Sequence, residues 1–283
     1  MMLKAAKGRL MEAAIKLAEF TFSIGGKELL HNVGQRFIRT SRLGLGAYPV
    51  GFRPEEVEYF RDNPEKHFEA IHAYEQALVV SGSEDSDNFA KRTRYFMLYQ
   101  LAQAAFDRFG SEGDLAECGC WRGHSTYMLG RLVETRGASP FHVFDSFEGL
   151  SEYGKKDQGG LAPANAQLAN ARRRHFAADM GDVRTALAPF DFVRLYKGWI
   201  PERFPEIEDR RFKFVHIDVD LYQPYIDSIE FFYPRLLEGG ILVFDDYGSA
   251  GFPGARKAVD ELRERFKPSL SLNFPLGGGA WIK

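Results

Sequence analysis

The stretch Glu117-Cys-Gly-Cys-Trp-Arg-Gly-His-Ser-Thr126 sits where a short apolar strand, Leu115–Cys118, gives way to a helix over Ser125–Glu134. Glycines at 119 and 123 let the chain turn sharply and let a ligand approach the backbone, and the helix start presents free N–H groups. The spacing excludes two nucleotide loops. Only three residues separate Gly119 from Gly123, and His124 stands where a phosphate-cradling loop requires lysine. Nor is the pattern G-x-G-x-x-G, which disfavours a nicotinamide dinucleotide. Strand, glycine turn and helix form the first unit of an α/β sheet.

Working outward, apolar strands at Phe141–Phe144, Phe192–Tyr196, Phe212–Ile217 and Ile241–Phe244 alternate with helical stretches at Asn165–Phe176, Tyr222–Leu237 and Pro253–Phe266. Short apolar strands with helices between them predict a parallel sheet covered on both faces. The chain then changes character: Ser269–Phe274, a Pro-Leu-Gly-Gly-Gly turn and Ala280-Trp281-Ile282 predict a closing antiparallel hairpin. Upstream, Ser81–Asn88 is a polar linker, followed by a long helix Phe89–Phe109 that Gly110 closes. Before the linker the pattern is helical, with Leu3, Leu10, Ala14, Leu17 and Phe20 in register and a second stretch from Pro54 to Ala77. The expected organisation is an N-terminal helical extension or cap, residues 1–87, and a Rossmann-like α/β domain, residues 88–283.

Composition narrows the function classes. Of 283 residues, 45% are hydrophobic and 27% charged, a globular profile. A net charge of −2 gives no basic field, which argues against nucleic acid as a partner. No apolar run is long enough to span a bilayer, and the basic start lacks the apolar core and cleavage site of a secretory signal. Cys118 and Cys120, one residue apart, suit neither a disulfide nor a zinc finger, and read as buried thiols of a cytoplasmic protein. Residues 1–45 carry eight Lys or Arg against three acids. A helix lying on anionic lipid is one reading, but Glu12 and Glu19 interrupt the basic face and favour packing against the main domain or a second subunit.

Carboxylates mark the chemistry. Asp145 ends the second strand, twenty-odd residues past the glycine turn, where an acid can take both ribose hydroxyls of a nucleoside. Two later strands each end in paired aspartates, Asp218 with Asp220 and Asp245 with Asp246. They converge on the carboxyl edge of the sheet, and carboxylates so close repel unless a cation neutralises them. Oxygen ligands suit Mg²⁺, Mn²⁺ or Ca²⁺ rather than zinc, with at least one of the four left over as a turn cap.

Six segments in order resemble the macrocin O-methyltransferase family: Gly113-Asp-Leu-Ala-Glu-Cys-Gly-Cys-Trp-Arg-Gly, Asp145-Ser-Phe-Glu-Gly-Leu, Lys197-Gly-Trp, Asp218-Val-Asp-Leu-Tyr, Tyr233-Pro-Arg-Leu-Leu-Glu-Gly-Gly and Asp245-Asp-Tyr-Gly. The resemblance runs from about Asn88 to the C-terminus and implies a class I methyltransferase sheet. It implies S-adenosylmethionine as methyl donor, Mg²⁺ (or Mn²⁺) at Asp218, Asp245 and Asp246, and a small-molecule acceptor, a sugar hydroxyl. Donor contacts would come from Glu117, Gly119, Trp121, Gly123, Ser125, Asp145, Ser146, Gly198, Trp199 and Asp218. Glu117 would face the positively charged methionine end. Family members often carry a histidine after the Asp-Ser-Phe-Glu-Gly motif, and Ser151–Ala171 here has none. Proton removal is therefore expected from the metal-bound environment, helped by a carboxylate such as Asp157 or Asp220, beside a catalytic Asp218 on the metal; the rival is His124 or His216. His216 is expected in the core and His124 as a polar cap. A homo-oligomer is expected. The alternatives are a catechol or phenol acceptor, or a non-catalytic nucleoside- or metal-binding module docked through the basic N-terminal helices.

Overall fold

The structure, a computed structural model, describes residues 64–283 apart from residue 138. The basic segment over residues 1–45, with its suggested lipid or subunit contact, lies outside the described residues. The elements are α1 Pro64–Val80, α2 Phe89–Phe109, β1 Asp114–Cys118, α3 His124–Arg136, β2 Phe141–Asp145, α4 Ala166–His175, α5 Met180–Ala186, β3 Val193–Lys197, β4 Phe212–Ile217, α6 Tyr222–Phe232, β5 Leu236–Phe244, α7 Pro253–Phe266, β6 Leu270–Asn273 and β7 Gly279–Ile282.

Seven strands form one sheet in the order β3-β2-β1-β4-β5-β7-β6. The first five are parallel, and β7 runs antiparallel to both β5 and β6. β1 and β4 are buried at every position, as central strands covered on both faces are, and this burial includes Asp114, Glu117, Lys213 and His216. One face packs under α1, α2, α3 and α5, with Leu115, Phe141 and Phe214 at its centre. The other packs under α6 and α7 around Phe144, Phe212, Tyr225 and Trp281. Each such side chain contributes roughly 1.5–3 kcal/mol by burial.

Two departures from expectation have local causes. The expected helix Tyr222–Leu237 stops at Phe232, because Pro234 sits in a tight turn over Tyr233–Arg235 and β5 then starts at Leu236 rather than Ile241. Helix α5 was not legible: seven residues are too few for a periodic signal, and Asp179 caps it by accepting from Gly181 N and Asp182 N. Helix α1, within the expected N-terminal extension, packs on the sheet domain: Ala70, Ala73, Ala77 and Leu78 are buried in the same cluster as Leu115 and Phe141. Among the described residues, no helix is long and apolar enough to cross a membrane.

The sheet order reverses between β1 and β4. Ligands of open α/β sheets bind at such a point, outside the carboxyl ends of the strands.

Candidate active site

A cavity of about 280 Å³ opens there, walled by the turns after β1, β2, β3 and β4. The β1 turn is shaped by two contacts. Gly119 has φ +82°, and a Cβ on it would stand 1.8 Å from the Asp218 carbonyl oxygen, so only glycine lets the ends of β1 and β4 pass this closely. Asp145, at the tip of β2, then holds the turn from the other side. Its Oδ2 accepts from Cys120 N at 2.8 Å and Trp121 N at 2.9 Å, and its Oδ1 from Phe147 N at 2.7 Å. Trp121 sits at φ +48° in this clamp.

Of the expected donor residues, Gly119, Trp121, Asp145, Ser146, Gly198, Trp199 and Asp218 line the cavity. Three others stand behind the wall. Gly123 is the left-handed N-cap of α3, φ +84°, packed near Val183 and Leu187. Ser125 is buried at the first turn of α3. Glu117 requires a correction: it is fully buried beneath the turn, with one oxygen taking His216 Nδ1 at 2.8 Å and the other the Thr126 hydroxyl. Both partners are interior, so the carboxylate faces the core and supports the turn from below. His216 is thus a core histidine, as expected.

Asp157 is a second correction. It is 2% exposed, and its oxygens accept from Tyr222 N and Gly154 N, each at 2.8 Å. A Cβ on Gly254 would stand 1.9 Å from Asp157 Oδ1. The carboxylate is a latch joining the segment after β2 to the start of α6 and α7, away from the cavity wall. It is not placed to take a proton from an acceptor.

The acidic group is the third. Asp218, Asp220 and Asp246 each offer an oxygen within 4.8 Å of the others, whereas Asp245 turns away to Arg94. Asp220 reaches the cluster from a left-handed backbone, φ +60°, fixed by its N–H donating to Asp246 Oδ2 at 2.9 Å. Burial, then the neighbouring carboxylates, push Asp218 and Asp220 well above the ordinary range. Burial and Asp245 push Asp246 up to about 6. Burial would raise Asp245 too, but the Arg94 guanidinium holds it below the ordinary value. Three hard oxygen donors facing one another with uncompensated charge fit a divalent cation of the Mg²⁺ or Mn²⁺ kind.

Sequence reasoning missed what α2 brings. Tyr95 lines the cavity, Arg94 reaches Asp245, and burial lowers Lys91 to about 8 although Asp218 and Asp245 pull the other way. The only available signal was a cluster of cations, Lys91, Arg92 and Arg94, in the first turns of the helix. His124 also lines the cavity. Its Nε2 pairs with the Tyr74 carbonyl at 3.1 Å, and burial pushes it down to about 3, so it stays neutral.

Residues 96–272 match the model of the family described as macrocin-O-methyltransferase (TylF). Over 163 residues the chain is 30% identical to the 8-demethyl-8-(2,3-dimethoxy-alpha-L-rhamnosyl)-tetracenomycin-C 4'-O-methyltransferase of Streptomyces olivaceus, covering 56% of this chain and 60% of that protein. It is 28% identical to the demethyldecarbamoylnovobiocin O-methyltransferase of Streptomyces niveus, covering 60% and 66%. The chain thus spans about six tenths of the length of the curated relatives it matches. Among solved structures, the O-methyltransferase NovP superposes with a TM-score of 0.60 at 22% identity, over 76% of this chain and 99% of that one. CalS11, a calicheamicin methyltransferase, gives 0.54 at 17% identity, over 75% and 91%. These likenesses show the class I methyltransferase fold. With more than half of its length matched, the chain belongs to the macrocin O-methyltransferase family.

Proposed function

We propose that the protein moves a methyl group from S-adenosylmethionine to a sugar hydroxyl of a glycosylated small molecule, with a divalent cation presenting that hydroxyl. One observation carries the reading: Asp218 and Asp220 of the acidic group and the Asp145-clamped glycine turn border the same cavity. When bound, the donor supplies a methyl on a positively charged sulfur, and the cation supplies a Lewis acid that lowers the hydroxyl's pKa.

The chain's own residues supply placement. The turn Gly119-Cys120-Trp121 and the Asp145–Ser146 strand tip would cradle the nucleoside, with Trp121 and Trp199 as apolar walls. Asp218 and Asp246 would hold the cation, with Asp220 or Asp245 as the third ligand. Holding acceptor and donor in line is worth up to about 7–11 kcal/mol of barrier when the geometry is right. Neither Asp157 nor His124 is suited to remove the proton, since one is capped by two N–H groups and the other is a very weak base. Asp220, which lines the cavity beside Asp218, is the best-placed carboxylate to accept it.

The acceptor class draws on the relatives, of which one is named for a rhamnosyl compound. The test is transfer of labelled methyl from S-adenosylmethionine to a panel of glycosides with vicinal hydroxyls, run beside catechols and simple phenols. Methylation confined to the glycosides is expected. Labelled catechols with unlabelled glycosides would replace the acceptor class, and no product on any diol would remove the enzymatic reading.

A further inference from the structure

Arg94 comes from α2, ahead of the first strand, and meets Asp245 from 151 positions away in sequence. Its Nε donates to both carboxylate oxygens, at 3.0 and 3.1 Å, and its Nη2 lies 3.0 Å from Oδ2. The two side chains are 23% and 10% exposed, so water screens the pair poorly. Lys91, on the same helix, donates to Ser86 Oγ at 2.7 Å instead. Among the described residues, Arg94 is therefore the cation ion-paired to the strand-end aspartates.

We infer that Arg94 competes with the divalent cation for Asp245, and so sets the affinity of the metal site from within the protein. The inference rests on the metal site proposed above. A carboxylate is a natural ligand for Mg²⁺ or Mn²⁺, and here its oxygens are held by a guanidinium fork. While the fork holds Asp245, the cation has Asp218, Asp220 and Asp246. The fixed positive charge beside them also repels a dication. Both effects act in one direction and weaken binding. Because α2 also places Tyr95 on the cavity wall, the helix that shapes the cavity is the one that governs its charge.

The test is Mn²⁺ binding to the full chain, followed by the electron-spin resonance signal of the free ion, in wild type, R94Q, R94K, D245N and R94Q/D245N. R94Q is expected to bind Mn²⁺ about tenfold tighter, the scale on which residues behind metal ligands act. R94K, which keeps the charge and loses the fork, should gain less. In the D245N background, removing Arg94 should gain no more than about threefold, because the contested carboxylate is gone. Unchanged or weaker binding in folded R94Q overturns the inference, as does an equal gain in both backgrounds. Should R94Q fail to fold, R94K decides: a gain supports competition and no gain overturns it. Binding in wild type with no change in the variants sinks this inference alone, whereas no binding in any protein sinks the metal-site reading with it.

Discussion

Two groups of strand-end carboxylates reach one cavity, the second through Asp218 and Asp220, and live under opposite conditions. Asp145 has three backbone N–H groups on its two oxygens. Asp218, Asp220 and Asp246 mostly face one another, with a single backbone N–H and the Tyr225 hydroxyl between them. Asp145 is satisfied by the fold and shapes a turn. The cluster is frustrated by the fold and is left wanting a cation. Aspartates at the carboxyl ends of strands in one sheet thus differ because one meets turns with free N–H groups and the others meet more aspartate.

The largest expected effect breaks the frustrated side. Asp218→Asn should lower metal-supported methyl transfer by at least about a hundredfold, since even residues behind metal ligands are worth 10–100-fold. Steady-state rates at saturating Mg²⁺ measure this, and a rate within threefold of wild type would show that Asp218 is not part of the site. The satisfied side should fail differently. Asp145→Ala strands three N–H groups, and about 3 kcal/mol of stability should go along with affinity for S-adenosylhomocysteine. Denaturant unfolding and calorimetry read the two together. Lost affinity with unchanged stability would make Asp145 a ribose contact rather than a clamp.

A pH titration sharpens the comparison. Asp246 is raised from 3.8 to about 6, so in the folded state it binds its proton more tightly than in the unfolded chain. Chelated protein should therefore lose stability as pH rises from about 4 to about 6, by about 3 kcal/mol from Asp246, with Asp218 and Asp220, raised as well, adding to the loss. Mn²⁺ or Asp246→Asn should flatten the slope. A flat profile in chelated wild type would mean that the cluster is not under charge strain. The smallest effect belongs to Asp157→Asn, which keeps one acceptor of the latch. It should cost about 1 kcal/mol of stability and leave single-turnover rates within a few-fold. A hundredfold loss in the chemical step would restore Asp157 as the base.

How much of this the sequence carried follows the same division. The parallel strands, the closing hairpin and the helix Phe89–Phe109 were legible because apolar runs, glycine turns, a polar linker before the helix and Gly110 after it act locally. The cavity position was legible as well, since a glycine turn followed by strand-end acids marks a switch point. What was not legible depends on direction rather than identity. Glu117 and Asp157 are acids near the site in sequence, but their side chains turn to His216 and Thr126, and to Tyr222 N and Gly154 N. The ion pair of Asp245 was not legible either, because Arg94 stands on a helix with no local link to β5. Side-chain pairing across 151 positions leaves no trace in periodicity.

The central claim is that methyl transfer runs through a cation on this acidic cluster, and one measurement tests it most directly. Single-turnover methyl transfer would be followed in protein stripped by chelator, then after adding back Mg²⁺ or Mn²⁺, with S-adenosylmethionine binding checked in each state. The account predicts that stripping abolishes transfer while the donor still binds, and that either ion restores it. Undiminished transfer in stripped protein would contradict it and leave Asp218, Asp220 and Asp246 as structural groups.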